Sequence, residues 1–289
     1  MELRELRAFV EVVRQGGFSH AAKTLFATQS TVSKAIKQLE DELGLPLLER
    51  IGRGSKLTTA GEIVYHRALS ILAKSEDLLV ELDELRGLKR GVLRLGLPSM
   101  GSSTLFAPFF VIYRNRYPAV EIRLFEHGSK RLEELVLTGE IELAASLLPV
   151  SEEFEWRAVR REPIYLLAST DHPLAASDSV TLKMLQDQPF ILFETGFALN
   201  AIILEACRRS GFIPTVTARS SQIDFIIELV AGRLGIAFLP RMIAEQRIRA
   251  DVSRIALAEP QMDWHVALIW RRGGYLSDAA KAWKNLVLA

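Results

Sequence analysis

Between residues 29 and 43, apolar side chains fall at Val32, Ile36, Leu39 and Leu43. The spacing i, i+4, i+7, i+11 puts them on one face of a helix. The opposite face carries Ser30, Thr31, Ser33, Lys34, Lys37 and Gln38. Upstream, Leu6, Phe9, Val10 and Val13 predict a helix over 2–14 that Gln15, Gly16 and Gly17 stop. A second helix begins at Ser19-His20-Ala21-Ala22, with Ser19 in the N-cap position and two alanines small enough for close helix crossing. Phe26-Ala27-Thr28 is then the turn into the third helix. Pro46 and the pair Gly52 and Gly54 mark the turns of a wing, flanked by Arg50 and Arg53. The order predicts a winged helix-turn-helix.

Thr59 and Glu62 have the spacing of a capping box, opening a long helix from about 60 to 88. Its stripe includes Tyr65, Leu69, Leu72, Leu79, Leu82 and Leu85, interrupted at Ser75-Glu76. Such a helix either pairs with a second copy as a coiled coil or packs inside its own domain. Residues 87–91 (GLKRG) read as a hinge, and from Val92 the pattern changes. VLRLGL, VEIRLFE and IELAASL are strands separated by helices over 101–117 and 129–138. EWRAVRREPIYLLAS is extended, with Pro163 midway. A second unit follows, with strands FILF, TVTAR and GIAFL, helices over 198–210 and 222–231, a late strand over 264–270 and a final helix over 277–288. Strand-helix alternation indicates a parallel sheet with right-handed crossovers.

Composition narrows this little. The 289 residues suffice for two or three domains, and the formal net charge of +1 excludes binding nucleic acid by bulk charge. The cations must act locally. Lys34, Lys37, Arg50, Arg53 and Lys56 lie on the third helix and wing, with Glu40-Asp41-Glu42 facing away. Cations suit phosphates, and hydroxyls and amides suit base edges. The candidate DNA-binding residues are therefore Thr28, Gln29, Ser30, Thr31, Ser33, Lys34, Lys37, Arg50, Arg53 and Lys56. A single cysteine, Cys207, allows no internal disulfide, which fits a reducing compartment. The N-terminus lacks a secretory pattern and no apolar run is long enough for a bilayer, so a cytoplasmic protein with no membrane partner is expected.

TQSTVSKAIKQLEDELGLPLLER with LTTAG after it resembles the N-terminal signature of LysR-type transcriptional regulators, and the downstream pattern extends the likeness over the chain. One departure is Leu48, where the family usually has Phe. The resemblance implies a winged helix-turn-helix over 1–59, a linker helix over 60–88 that dimerises the chain, a hinge over 89–91 and an effector-binding domain over 92–289. That domain resembles the periplasmic-binding-protein fold, with subdomain I from 92–162 plus 266–289 and subdomain II from 163–265. Tyr65, Leu69, Leu72, Leu79 and Leu82 are then the dimerisation residues. A dimer sets two reader helices on successive major grooves, about 34 Å apart. The family also implies double-stranded promoter DNA, RNA polymerase, a small organic effector and a homodimer or homotetramer.

Ligands of open α/β sheets bind beyond the carboxyl ends of the strands. The first such end is Pro98-Ser99-Met100-Gly101-Ser102-Ser103, running into a helix whose N–H groups favour an anion such as a carboxylate. The serines either cap the helix or bind ligand, and the resemblance favours binding. The second such end is His127-Gly128-Ser129, where Ser129 both opens the next helix and is a candidate to face the cleft. Beyond the crossing, Phe197 and Phe238 suit either a cleft wall or ordinary core, and Gln222 is a candidate donor. The effector-binding candidates are thus Ser99, Met100, Gly101, Ser102, Ser103, Ser129, Phe197, Gln222 and Phe238.

Catalytic signatures are missing. His20, His66, His127, His172 and His265 show no metal-ligand spacing, and each reads as surface or core. Arg208 and Arg209 beside Cys207 are able to lower its pKa, but the favoured reading is a half-buried helix cysteine. The expectation is a regulator without catalysis, metal or cofactor. The alternative is a cytoplasmic solute-binding protein without regulatory DNA binding.

Overall fold

The computed structural model describes all residues except 52–53, 86–90 and 260–261; for residues 50, 51, 54 and 83–85 it describes the backbone alone. The chain forms two compact units, Met1–Lys89 with Leu135–Glu142 and Gly273–Ser277, and Arg90–Glu134 with Leu143–Arg272 and Asp278–Ala289.

The first unit begins with helices α1 (Leu3–Arg14), α2 (Phe18–Thr24) and α3 (Gln29–Leu43), a hairpin of β1 (Leu48–Ile51) and β2 (Gly54–Leu57), and helix α4 (Thr59–Leu85). Apolar positions read from spacing converge as one core, Leu6, Phe9 and Val10 of α1, Ala21 and Ala22 of α2, and Val32, Ile36 and Leu39 of α3, joined by Leu47; Leu43, the fourth position of the α3 stripe, is instead exposed because the helix ends there. Two caps differ from expectation. The N-cap of helix α2 is Gly17, two residues before the expected Ser19, and Ser19 instead donates its hydroxyl to Gln29 Oε1 at 3.2 Å. Helix α4 is capped by Thr58, not Thr59: its Oγ1 accepts the Gly61 N–H at 2.9 Å. In the turn before α3, Phe26 has φ of 50° and is 99% exposed. A bulky residue pays a steric cost in that conformation, which allows the tight approach of α2 to α3.

The second unit contains β3 (Val92–Leu97), α5 (Ser102–Leu105), α6 (Ala107–Arg116), β4 (Glu121–Glu126), α7 (Ser129–Leu137), β5 (Leu143–Leu147), the long β6 (Phe154–Ser169) and β7 (Ser179–Val180). Then come β8 (Pro189–Phe193), α8 (Ala198–Arg209), β9 (Thr215–Ser220), α9 (Ile223–Ala231), β10 (Ala237–Pro240), α10 (Arg241–Gln246), β11 (Val252–Leu257), β12 (Asp263–Arg271) and α11 (Asp278–Val287). The end of α7 falls in the segment grouped with the first unit.

The single helix expected over 101–117 is broken at Phe106. Pro108, in the first turn of α6, has no N–H to continue the ladder, and its ring would clash with the carbonyl of residue 104. Helix α10 and strand β11 had no sequence signal. Nor is the main sheet all parallel. Its order is β4-β3-β5-β12-β6-β11-β7, with β10 also on β6. Strand β3 is parallel to β4 and β5, but β12 runs antiparallel to both β5 and β6. Strands β8 and β9 form a separate parallel pair. Strand β6 changes partner along its length: Phe154 to Pro163 face β12, and Ile164 to Ser169 face β10 and β11. One strand thus serves two lobes, one built on β3, β4 and β5, the other on β8, β9 and β10.

Candidate nucleic-acid interface and ligand cavity

Helix α3 is capped by Thr28, whose Oγ1 accepts the Thr31 N–H at 3.1 Å and lies 2.8 Å from the hydroxyls of both Ser30 and Thr31. This gathers hydroxyls at the start of the helix. Gln29, Ser30, Thr31, Lys34 and Lys37 are exposed along it, while Ser33 is half-buried. The Ser19 hydroxyl occupies the Gln29 carbonyl oxygen and leaves the amide N–H2 to donate outward. Hairpin register sets Lys56 opposite Glu49, and Lys56 is exposed. Arg53 lies outside the described residues, as does the side chain of Arg50. Glu40 does more than face away from phosphate: its Oε1 accepts the N–H groups of Leu47 and Leu48 at 2.7 and 3.2 Å, tying the wing to α3.

Helix α4 corrects the expected dimerisation stripe. Leu69 and Leu72 are 6% and 4% exposed, in the core of their own unit. Tyr65 is half-buried with its ring edge-on to Phe9 at 6.4 Å. These three face inward because α1 covers that side. Leu79 and Leu82 are exposed, as are Ile63, Ile71 and Leu78.

The second unit encloses a cavity of about 50 Å³, lined by Pro98, Ser99, Met100, His127, Gly128, Ser129, Leu147, Phe197, Ala198, Leu199 and Trp264. A water needs about 10–15 Å³ on this measure, so a few waters or a small molecule fit. No carboxylate lines it. Helices α7 and α8, of nine and twelve residues, both open there, at Ser129 and Ala198. First-turn N–H groups have no partner within a helix, and no side chain caps α8. Two partial positive ends therefore converge on the same space. Ser129 is 6% exposed, and Phe197 stacks on Phe193 at 5.0 Å while walling the cavity.

Other expected ligand contacts lie elsewhere. The dipole argument at residues 99–103 fails, because α5 is a single turn. Ser102 donates its hydroxyl to Pro98 O, and Ser103 points to solvent. Gly101 has φ of 83°, and a Cβ there would lie 2.4 Å from Trp264, so it shapes the wall from behind. Gln222 is exposed at the N-cap of α9, outside the lining. Phe238 is 1% exposed and packs on Phe190 at 5.1 Å: it belongs to the core because β10 pairs with β6 and is covered by β8. Sequence reasoning placed His127 in the second candidate strand end but took its side chain as surface or core, and it passed over Trp264, Leu147 and Leu199. The available signal for His127 was its place at a strand end beside Gly128.

Cys207 is buried, as the reading of it as a packed helix cysteine expects, and burial pushes its thiol up to about 11 rather than Arg208 and Arg209 lowering it. The Arg208 guanidinium is engaged by Glu205 instead, at 2.7 and 2.8 Å. Among the described residues, no helix is long and apolar enough to cross a membrane.

Residues 3–62 match the family described as bacterial regulatory helix-turn-helix protein, lysR family, and residues 86–289 match the LysR substrate binding domain. The chain is 38% identical over 284 residues to YwbI of Bacillus subtilis, an uncharacterized HTH-type transcriptional regulator, covering 98% of this chain and 94% of that one. It is 31% identical over 291 residues to GltC, a transcriptional dual regulator of the same organism, covering 100% and 97%. Full-length OxyR from Pseudomonas aeruginosa superposes with a TM-score of 0.62 at 26% identity, covering 99% of this chain and 93% of that chain. The reader helix with its wing, the cavity between two lobes and these likenesses have one common account: the chain belongs to the LysR-type transcriptional regulators, with a DNA-binding helix-turn-helix domain and an effector-binding domain.

Proposed function

We propose that the cavity takes a small organic monoanion, most simply a carboxylate, and that its binding modulates contact with promoter DNA. The observation that carries this is the convergence of the α7 and α8 N-termini on a space with no acidic lining. Each helix end contributes ~0.5–2 kcal/mol toward an anion, and hydroxyl contacts from Ser99 and Ser129 about 1 kcal/mol each. A total of about 3–6 kcal/mol corresponds to roughly millimolar to tens-of-micromolar affinity. The ligand regulates only as far as it prefers one arrangement of the lobes.

On this reading Thr28, Gln29, Ser30, Thr31, Ser33, Lys34, Lys37 and Lys56 meet DNA, and Arg50 and Arg53 are further candidates. The domain limits follow the resemblance: 1–59, 60–88 and 92–289; residues 89 and 90 of the expected hinge over 89–91 lie outside the described residues. Ile71, Leu78 and Leu82 form the face of α4 that pairs with a second copy, since all three are exposed and recur at i, i+7 and i+11. Exposed apolar side chains on α6, at Val111 and Ile112, and on β4, at Leu124, support assembly beyond the dimer. RNA polymerase is the further partner, the compartment is the cytoplasm, and the chain catalyses nothing.

Calorimetry with acetate, pyruvate and succinate, each against its neutral amide, tests the ligand class. Carboxylate binding that Ser99→Ala with Ser129→Ala weakens tenfold or more is expected. Amides binding as well as the acids would refute it. Footprinting on the intergenic DNA beside the gene, with and without the bound acid, tests the regulation. Protection over paired half-sites that the acid shortens or shifts is expected; identical footprints would refute the coupling.

A further inference from the structure

Helix α10 spans only Arg241–Gln246, yet both of its ends are tied to the parts that build the cavity. At its first residue, Arg241 Nε lies 3.3 Å from Glu162 Oε2. Glu162 is 1% exposed, and its other oxygen is 2.6 Å from Arg160. It stands on β6 opposite Trp264 of β12, whose ring walls the cavity. At the last residue, Gln246 Oε1 accepts the Thr104 hydroxyl at 2.7 Å. Thr104 belongs to α5, which continues directly from the cavity turn at Ser99 and Met100. One lobe supplies α10 and the other supplies α5, so this hydrogen bond ties the lobes through two residues outside the lining. On the cavity rim the lobes meet backbone to backbone: a Cβ on Gly128 would lie 2.8 Å from Gly196 O.

We infer that α10 is a strut that sets how readily the lobes close. Thr104 and Gln246 are positioning residues for the ligand, acting through the cavity turn, and the Gly128–Gly196 contact is the stop. This rests on the reading of the cavity as the effector site. Apparent affinity scales with the fraction of molecules in the binding-competent arrangement. Loss of the Thr104–Gln246 bond lowers that fraction without removing any group that touches ligand. A bond of this kind corresponds to about a three- to tenfold change.

Amide exchange in the full-length protein, read on peptides over 128–132 and 196–202, tests the strut with no ligand present. Thr104→Val and Gln246→Leu should each speed exchange about three- to tenfold, and the double variant no more than either single one. Thr104→Ser, which keeps the hydroxyl, should restore wild-type exchange. Gly128→Ala should speed exchange in both peptides by holding the rim apart. In parallel, acetate affinity should fall in the same variants only as far as the closed fraction falls, and Thr104→Ser should restore it. Exchange within twofold of wild type in both Thr104→Val and Gln246→Leu would overturn the proposal. Faster exchange in those variants, in a protein that binds no acetate at all, would uphold the strut and count against the carboxylate reading alone.

Discussion

The carboxylate of Glu40, on the reader helix, accepts the backbone N–H of Leu47 at 2.7 Å, and a second bond to Leu48 at 3.2 Å shares the same oxygen. Leu47 is 1% exposed, so its N–H has little access to water in exchange. Glu40→Ala should therefore destabilise the N-terminal unit by about 1.5–3 kcal/mol. It should also weaken DNA binding by loosening the wing, although Glu40 itself repels phosphate. Urea denaturation and binding to DNA selected from a randomised pool check both; higher DNA affinity in the variant would show that charge, not wing position, dominates.

Lys34 is exposed on α3. If it meets a phosphate, Lys34→Ala should weaken binding across sequences and reduce the slope of log K against log salt by about 0.9. Fluorescence anisotropy over a salt series measures the slope, and an unchanged slope would remove Lys34 from the interface.

The two faces of α4 predict opposite outcomes. Leu72 is 4% exposed, so Leu72→Glu buries a charge and should cost several kcal/mol, unfolding the N-terminal unit. Leu78 is 56% exposed, so Leu78→Glu should leave the fold intact and split the oligomer. Circular dichroism and light scattering separate these effects. A native oligomer in Leu78→Glu would place the dimer contact elsewhere.

Gly101 stands against Trp264 with a backbone conformation that other residues adopt at a cost of about 1–2 kcal/mol. Gly101→Ala adds a clash with the indole, so the ring must move. Tryptophan fluorescence should shift, and carboxylate binding should fall with it. A variant with wild-type emission would mean the wall yields without moving Trp264.

The Cys207 thiol, pushed up to about 11 by burial, is protonated at neutral pH. Alkylation by iodoacetamide should be slow at pH 7 and rise through pH 11. Its folded value exceeds the unfolded one, so the neutral form favours the fold. That stability is full below about pH 9 and is lost as pH rises toward 11. Arg208→Ala should leave the alkylation rate unchanged, since Glu205 holds that guanidinium; a marked change would restore the arginines as the controlling charges.

The sequence by itself determined the elements whose signals lie within a few residues of one another. The α3 stripe of Val32, Ile36 and Leu39, the strand-helix alternation after Val92, and the turns at Pro98 and Gly128 are of this kind. Periodicity and turn chemistry are local properties, so they survive without knowledge of the fold. Only the tertiary structure decided which side of α4 faces inward. Leu72 and Ile71 are neighbours in the chain, about 100° apart around the helix, and the packing of α1 sends one to the core and leaves the other exposed. The same holds for the cavity. His127, Phe197 and Trp264 come from three distant elements, and no spacing relates them until β6 and β12 cross. Phe238 and Phe197 look alike in sequence. One became core and the other cavity wall because β10 is covered by its neighbours while the α8 N-terminus opens onto a gap.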